Sequence, residues 1–149
     1  PVHVEFSLHL PNLARRDGDT LRIPANRFPI RNHFGWKPYL SAPWTDQYAR
    51  AAERVHDVIL PAPWSHHTIL EVTLPDGYAI AALPADVDID KPYAAIRIRY
   101  ARRGAGYRVD KWIAGKATRV AAAEYEDFRE FCITLDKAER EEIELQRSK

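Results

Sequence analysis

The stretch that decides the fold runs from Ala94 to Ile113 and reads AAIRIRYARRGAGYRVDKWI. Apolar residues alternate with arginines in its first half, and this period of two is typical of a strand with one buried face. Gly104-Ala105-Gly106 then allows a tight turn, and Tyr107, Val109 and Ile113 repeat the apolar pattern on the way back. The stretch therefore predicts a β-hairpin with a buried apolar face and a solvated arginine face.

Further strands are expected on the N-terminal side of this hairpin. Residues 68–74 alternate in the same way, and Pro75-Asp76-Gly77 predicts a turn, because proline fixes φ and glycine supplies a positive φ. After this turn, residues 78–83 predict a strand that runs in the opposite direction. Nearer the N-terminus, residues 46–54 predict one or two helical turns and residues 55–60 a strand closed by prolines.

The first residues of the chain predict strands as well. The segment Val2–Leu10 alternates apolar and polar residues without interruption. Asp17-Gly18-Asp19 predicts a turn, and Leu21 and Ile23 follow it with a short apolar pattern.

The period changes from two to that of a helix after Ala121. The apolar positions fall on one helical stripe, and acidic residues in the first turn suit the helix dipole. A short closing strand is expected at Ile143 and Leu145. The chain as a whole predicts one mainly β (α+β) domain over residues 1–149, an antiparallel β-sandwich-like arrangement with one C-terminal amphipathic helix. The helical stripe consists of Tyr125, Phe128, Phe131, Cys132 and Leu135.

A segment rich in proline and aromatic residues lies between Pro24 and Gln47. Aromatic side chains in an irregular segment are common interface anchors, so four of them are candidate partner-binding residues. The alternative is that the same side chains cap the core of the domain. The four residues are Phe34, Trp36, Tyr39 and Trp44.

Basic residues are concentrated between Arg97 and Arg119, although the net charge of the chain is only +1. Arg97, Arg99 and Arg103 are candidate contacts for an acidic partner, which a neighbouring protein domain or a nucleic acid would supply. Four aromatic residues nearby would allow base stacking in the nucleic-acid alternative. These aromatic residues are Tyr93, Tyr100, Tyr107 and Trp112.

The residues indicate no catalytic, metal or cofactor site. Cys132 is the one cysteine, and its place on the apolar stripe of a helix predicts a core residue rather than a nucleophile. His66 and His67 are adjacent on a predicted strand, so they point to opposite faces and do not chelate one metal ion easily. His3 and His9 are too far apart along an extended strand to share one.

The acidic residues Asp86, Asp88 and Asp90 begin like a calcium loop, but Lys91 stands where the loop needs glycine and Arg97 where it needs glutamate. We therefore expect a strand edge here, and the alternative is a simple cation site formed by the three carboxylates. No constellation of nucleophile, base and orienting acid stands out, and we expect no enzymatic activity from this chain.

The 149 residues contain no methionine, even at position 1, so we expect the chain to be cut from a longer protein. No apolar run approaches the roughly 18 residues of a membrane-spanning helix. Neither a transmembrane segment nor a signal peptide is expected within the sequence.

Three motifs together carry a resemblance to a known domain. They are ERVHDVILP at residues 53–61, LPDGY at residues 74–78 and EYEDFREF at residues 124–131. In this order, around the hairpin, they resemble the C-terminal β-rich domain that follows the transglutaminase-like core in many bacterial multidomain proteins. The resemblance covers residues 53–147, and residues 1–52 fit more loosely as an N-terminal strand and linking segment.

The resemblance implies a non-catalytic accessory domain that packs on or positions an upstream transglutaminase-like core or another protein. It also implies a bacterial and extracytoplasmic setting. The alternative from the residues is a free-standing binding module that uses the basic hairpin at residues 97–119 for nucleic acid or another acidic partner.

Overall fold

The computed structural model describes residues 13–26 and 43–148. Ten strands, two α-helices and one 3-10 helix lie within these ranges. The strands are β1 (Arg15–Asp17), β2 (Thr20–Pro24), β3 (Val58–Ile59), β4 (Trp64–Thr73), β5 (Tyr78–Ala82), β6 (Val87–Asp90), β7 (Ala94–Arg103), β8 (Gly106–Gly115), β9 (Arg119–Val120) and β10 (Glu142–Arg147). The helices are α1 (Trp44–Tyr48), the 3-10 helix (Ala122–Glu124) and α2 (Tyr125–Glu139).

The strands form three antiparallel sheets. The terminal sheet has the order β1-β2-β10-β5, the central sheet has the order β4-β8-β7-β6, and β3 pairs with β9 in a two-stranded ribbon. Side chains of the terminal sheet, the central sheet and α2 share one hydrophobic core. The predicted mainly β (α+β) class with one C-terminal helix is confirmed.

The predicted hairpin is β7 and β8, paired from Ala94 with Gly115 to Arg103 with Gly106. Two glycines make the turn possible. Gly104 has a φ of +51°, which side chains disfavour. A Cβ on Gly106 would lie 1.8 Å from the Val72 carbonyl oxygen of β4, so a side chain there would separate β4 from β8.

Helix α2 packs on the inner face of the central sheet. Tyr93, next to β7, meets Phe128 edge-on with ring centroids 5.1 Å apart, and it meets Phe131 in the same way at 5.6 Å. The predicted stripe of the helix is buried, and Phe128, Cys132 and Leu135 are fully enclosed. Burying each large apolar side chain stabilises a fold by about 1.5–3 kcal/mol, so this contact is a principal source of stability.

The closing strand is confirmed as β10, and its position is central. It lies between β2 and β5 in the terminal sheet, and its side chains Ile143 and Leu145 are buried. Helix α2 ends at Glu139, so only Arg140 and Glu141 separate it from β10.

Two elements between residues 43 and 60 differ from their predicted extent. Helix α1 begins at Trp44, earlier than expected, because the carboxylate of Asp136 accepts hydrogen bonds from the backbone amides of Trp44 and Thr45. The strand expected over residues 55–60 is only β3, since β9, its partner, is itself two residues long.

Some predictions fall outside the described residues. These are the strand over residues 2–10, His3 and His9, and the candidate partner-binding residues Phe34, Trp36 and Tyr39. Single-domain organisation stays a prediction. Across residues 13–26 and 43–148, no helix has both the length and the apolar character needed to cross a membrane.

Candidate functional site

The central sheet has one face against the core and one face away from it, which we call the outer face. Side chains alternate between these faces along every strand, so the strand register determines the members of the outer face. From β4 to β6 these include Ser65, His67, Ile69, Glu71 and Thr73 on β4, Arg108, Asp110 and Trp112 on β8, Arg97, Arg99, Ala101 and Arg103 on β7, and Asp88 on β6.

Trp112 stands in the middle of the outer face. It lies directly opposite His67 of β4 on one side and Arg97 of β7 on the other. Its side chain is half-buried, whereas the core-facing residues on either side of it, Lys111 and Ile113, are buried. The outer face therefore presents a large aromatic surface between the imidazole of His67 and the guanidinium of Arg97.

Charged side chains on β4 and β8 form a connected network beside this tryptophan. His67 Nε2 lies 2.8 Å from Asp110 Oδ1, and Arg108 Nη1 donates to Glu71 Oε1 at 2.8 Å. Arg108 also lies 3.7 Å from the second oxygen of Asp110. The hydrogen bond with His67, with help from the charges of His67 and Arg108, holds the pKa of Asp110 below its usual value.

A second group of ion pairs joins β7 to β6. Asp88 accepts a hydrogen bond from Arg99 and one from Arg97 at 3.3 Å, and Asp86 lies 3.7 Å from Arg99. The hydrogen bond from Arg99 is the main cause that lowers the pKa of Asp88. The three acidic residues Asp86, Asp88 and Asp90 thus lie at a strand edge, where they neutralise basic side chains.

Ion pairs with carboxylates neutralise most of the basic side chains at residues 97–119. Arg102 donates to the Ile80 carbonyl, and Arg103 has no ion-pair partner within the described ranges. The remaining six cations of the stretch each have a carboxylate partner. They are Arg97, Arg99, Arg108, Lys111, Lys116 and Arg119.

The aromatic residues near the basic stretch do not share one face. Tyr93 and Tyr107 are buried, and Tyr100 lies on the core side of β7. Burial raises the pKa of Tyr100 and of Tyr107 to about 12. Of the four aromatic residues proposed for stacking, Trp112 alone lies on the face that carries the arginines.

Lys111 belongs to the basic stretch by sequence, but it points into the core. Its Nζ donates to Glu139 of α2 at 3.1 Å, and the two side chains are 7% and 3% exposed. It also donates to the Asn26 carbonyl at 3.2 Å, and the Asn26 amide donates to the hydroxyl of Tyr100. This buried network ties β8, α2 and the end of β2 together.

The structure places Trp44 in the core, with 4% of its surface exposed. Its ring meets Tyr48, Trp64 and Phe131 at centroid distances of 5.5, 6.0 and 6.3 Å. Beside this cluster lies a cavity of about 10 Å³, room for about one water molecule. Trp44 therefore lies where the alternative interpretation of the aromatic segment, in which its side chains cap the core, places it.

Cys132 is fully buried on the apolar stripe of α2. Burial, followed by the nearby charge of Asp136, raises the pKa of its thiol to about 12. The thiol stays protonated at neutral pH, so it is a poor nucleophile and a poor metal ligand.

Possible metal ligands are dispersed over the fold. His66 and His67 point to opposite sides of β4, since His66 pairs with the buried Ile113 and His67 with Trp112. Within residues 13–26 and 43–148, no three His, Cys, Asp or Glu side chains come together in a way that would hold a metal ion.

A surface groove of about 350 Å³ lies where α2 turns into β10. Acidic and basic side chains both line it, and Arg22 pairs with Glu144 at 2.9 Å. Because both signs of charge are present, the groove favours neither an anion nor a cation. Its lining residues are Arg22, Lys137, Arg140, Glu141, Glu142 and Glu144.

Sequence patterns identified part of the outer face and missed the rest. The alternation of β7 found Arg97, Arg99 and Arg103, but it could not indicate that His67, Ile69 and Trp112 lie beside them. The pairing of β4 with β8 spans more than 30 residues of chain, and no local pattern specifies its register.

The fold and this face define a mainly β domain with one core-packed helix and one solvated sheet face. The chain belongs to the family described as "Domain of Unknown Function with solved-structure structure (DUF3858)", whose model matches residues 33–145. No curated protein matches the chain.

The fold is also similar to a part of a solved structure from Parabacteroides distasonis, a protein described as a "putative protease". The TM-score is 0.56 and the identity 19%, over 64% of this chain. The matched part is 19% of the Parabacteroides protein, so the chain spans about one-fifth of the length of that protein. At this identity the likeness concerns the fold.

Proposed function

We propose that the chain is a non-catalytic accessory domain that packs on, or positions, a catalytic core or another protein. The observation that carries this proposal is the outer face of the central sheet. Trp112 stands half-buried at its centre, with paired charges around it. An aromatic anchor inside a polar rim is the usual anatomy of a protein interface.

The resemblance in the sequence points to a transglutaminase-like core as the catalytic neighbour. The comparison with the Parabacteroides protein supports a modular setting, because the similar fold there is one part of a much longer chain. The buried and protonated thiol of Cys132 supports a role without nucleophilic catalysis.

The pairing of the charges favours a protein partner over a nucleic acid. Six of the eight cations at residues 97–119 already have carboxylate partners, so few remain to neutralise phosphates. A protein surface that carries both signs of charge can pair with the basic and with the acidic side chains of the outer face, so the acidic side chains do not oppose binding.

The first test is to read the coding sequence upstream of the codon for Pro1. We expect a transglutaminase-like core with its cysteine, histidine and aspartate. An initiator methionine directly before Pro1 would contradict the proposal.

The second test measures binding between that upstream region and the 149-residue chain by titration calorimetry. We expect Trp112→Ser to weaken binding by at least about tenfold, the effect of losing a central aromatic anchor. Ile133→Ser is the matched control, because Ile133 is an exposed apolar residue of α2 away from the outer face. Equal effects of the two substitutions would show that the outer face is not the interface.

Titration with a single-stranded oligonucleotide at two salt concentrations tests the alternative function. Strongly salt-dependent binding that Arg103→Glu abolishes would favour nucleic-acid recognition by the basic hairpin, in place of the accessory role.

A further inference from the structure

Among the described residues, strand β4 forms one edge of the central sheet. It is ten residues long and pairs with β8 without a bulge, from Trp64 opposite Gly115 to Thr73 opposite Gly106. It contains neither lysine nor proline, and Glu71 is its only acidic residue. In the described part of the chain, no other strand lies on its far side.

The opposite edge of the same sheet is protected. Strand β6 has only four residues, and the two whose backbone groups face away from β7, Asp88 and Asp90, both have carboxylate side chains. Beyond its end, the Asp86 carboxylate accepts a hydrogen bond from the backbone amide of Tyr100 at 2.9 Å. Short length and charged side chains are the usual means of preventing strand addition, and β4 is long and carries few charges.

The register shows which backbone groups of β4 face the open edge. In an antiparallel ladder the amide and carbonyl of one residue point to the same side, and the side alternates along the strand. The Leu74 amide donates to the Ala105 carbonyl, and the Val72 carbonyl lies against Gly106, so the even-numbered residues face β8. The odd-numbered residues therefore face outward, and within the described ranges their backbone groups have no hydrogen-bond partner. They are Ser65, His67, Ile69, Glu71 and Thr73.

We propose that a second copy of this chain pairs with this edge, β4 against β4, antiparallel about a two-fold axis through Ile69. Hydrogen-bonded pairs then form between Ile69 and its own copy, between His67 and Glu71, and between Ser65 and Thr73. Each such pair exchanges two backbone hydrogen bonds, which gives about ten across the interface. The two central sheets become one eight-stranded sheet.

Side chains support this register. Directly opposite residues of an antiparallel pair point to the same face, so His67 meets Glu71 of the second copy twice, once on each side of the axis. His67 uses Nε2 and Glu71 uses Oε1 within its own chain, which leaves Nδ1 and Oε2 for the new contact. Ile69 is 50% exposed in the single chain and meets its own copy on the axis.

Other registers lose these contacts. A shift by one residue would bring outer-face residues opposite core-face residues. When the pairing shifts by two residues in one direction, His67 lies opposite Ile69 and Glu71 lies opposite Ser65. Neither the His67–Glu71 pair nor the Ile69–Ile69 pair then forms. A two-fold contact of this kind is closed, because it occupies both β4 edges and does not propagate into a filament. The inference does not depend on the proposed accessory function.

Sedimentation velocity of the 149-residue chain over a range of concentrations tests the proposal. We expect a reversible monomer–dimer equilibrium. Ile69→Lys should raise the dissociation constant by about 100-fold or more, since it places two lysines face to face on the axis. Ile59→Lys is the matched control, because Ile59 is 72% exposed on β3, and it should leave the dimer unchanged. Thermal melts of both variants check that they fold.

A charge exchange tests the register. Glu71→Lys should weaken the dimer, because the introduced lysine would face His67 of the second copy, and adding His67→Glu in the same chain should restore it. Concentration-dependent protection of the outward amides of β4 from hydrogen exchange should accompany dimer formation.

Three results would overturn the proposal. The first is a chain that stays monomeric at all concentrations, and the second is a dimer that Ile69→Lys does not affect. The third is a monomer whose β4 outward amides are already protected, which would mean that another segment of the same chain occupies the edge.

Discussion

The two faces of the central sheet are made by the same strands, yet they differ in almost every physical respect. On the core side of β8, Val109, Lys111 and Ile113 are buried; on the outer side, Arg108 and Asp110 are half-exposed. The core face is held by apolar packing and by the enclosed Lys111–Glu139 ion pair, and the outer face by ion pairs in contact with water. Breaking an ion pair should therefore cost much folding stability on the core face and little on the outer face.

The largest loss of stability is expected from removing an aromatic side chain on the core side. Phe128→Ala leaves a cavity between α2 and Tyr93 and should destabilise the fold by about 3–5 kcal/mol. Urea unfolding followed by circular dichroism measures this change. A loss below about 1 kcal/mol would mean that α2 is not an essential part of the core.

The buried ion pair should behave differently from the ion pairs on the outer face. Lys111→Met leaves the Glu139 carboxylate enclosed without its cation and should cost about 3–5 kcal/mol. The double variant with Glu139→Leu should recover most of that loss, because neither charge then remains buried. A double variant as unstable as the single variant would show that the network around Asn26, rather than the pair, supplies the stability.

A substitution at the centre of the outer face should affect stability much less. Trp112→Thr keeps a residue suited to a strand and removes cross-strand contacts with His67 and Arg97, so we expect a loss of about 1 kcal/mol or less. The same urea titration measures it. A loss as large as that of Phe128→Ala would show that Trp112 contributes to the core and would contradict the proposal that it is an interface anchor.

The smallest effect is expected from acid titration of the outer face. The folded pKa of Asp110 lies below its unfolded value near 3.8, so its pairing stabilises the fold above that pH and is lost as the pH falls through the folded pKa. Asp110→Asn should therefore lower the unfolding temperature slightly at pH 6, and the difference from the parent chain should shrink toward pH 2. A difference that stays constant or grows on acidification would contradict this assignment.

The contrast between the faces also explains how far local patterns predict the fold. Alternation over Ala94–Arg103 and the glycine-containing turn predicted the β7–β8 hairpin, because neighbouring strands joined by a short turn have their register fixed locally. The same alternation separated Arg97 and Arg99 from the core. It predicted equally well that Cys132 is a core residue, since the period of a helix assigns its face.

The sequence by itself therefore determined the strands around the hairpin, the buried stripe of α2 and the mainly β class, all of which depend on periods within a single segment. The tertiary structure alone decided that β10 lies in the middle of the terminal sheet, that Lys111 is buried against Glu139, and that His67, Trp112 and Arg97 lie side by side. The physical reason is that these contacts join segments distant in sequence. Their register is set by which side chains fill the shared core, and a local period contains no information about that choice.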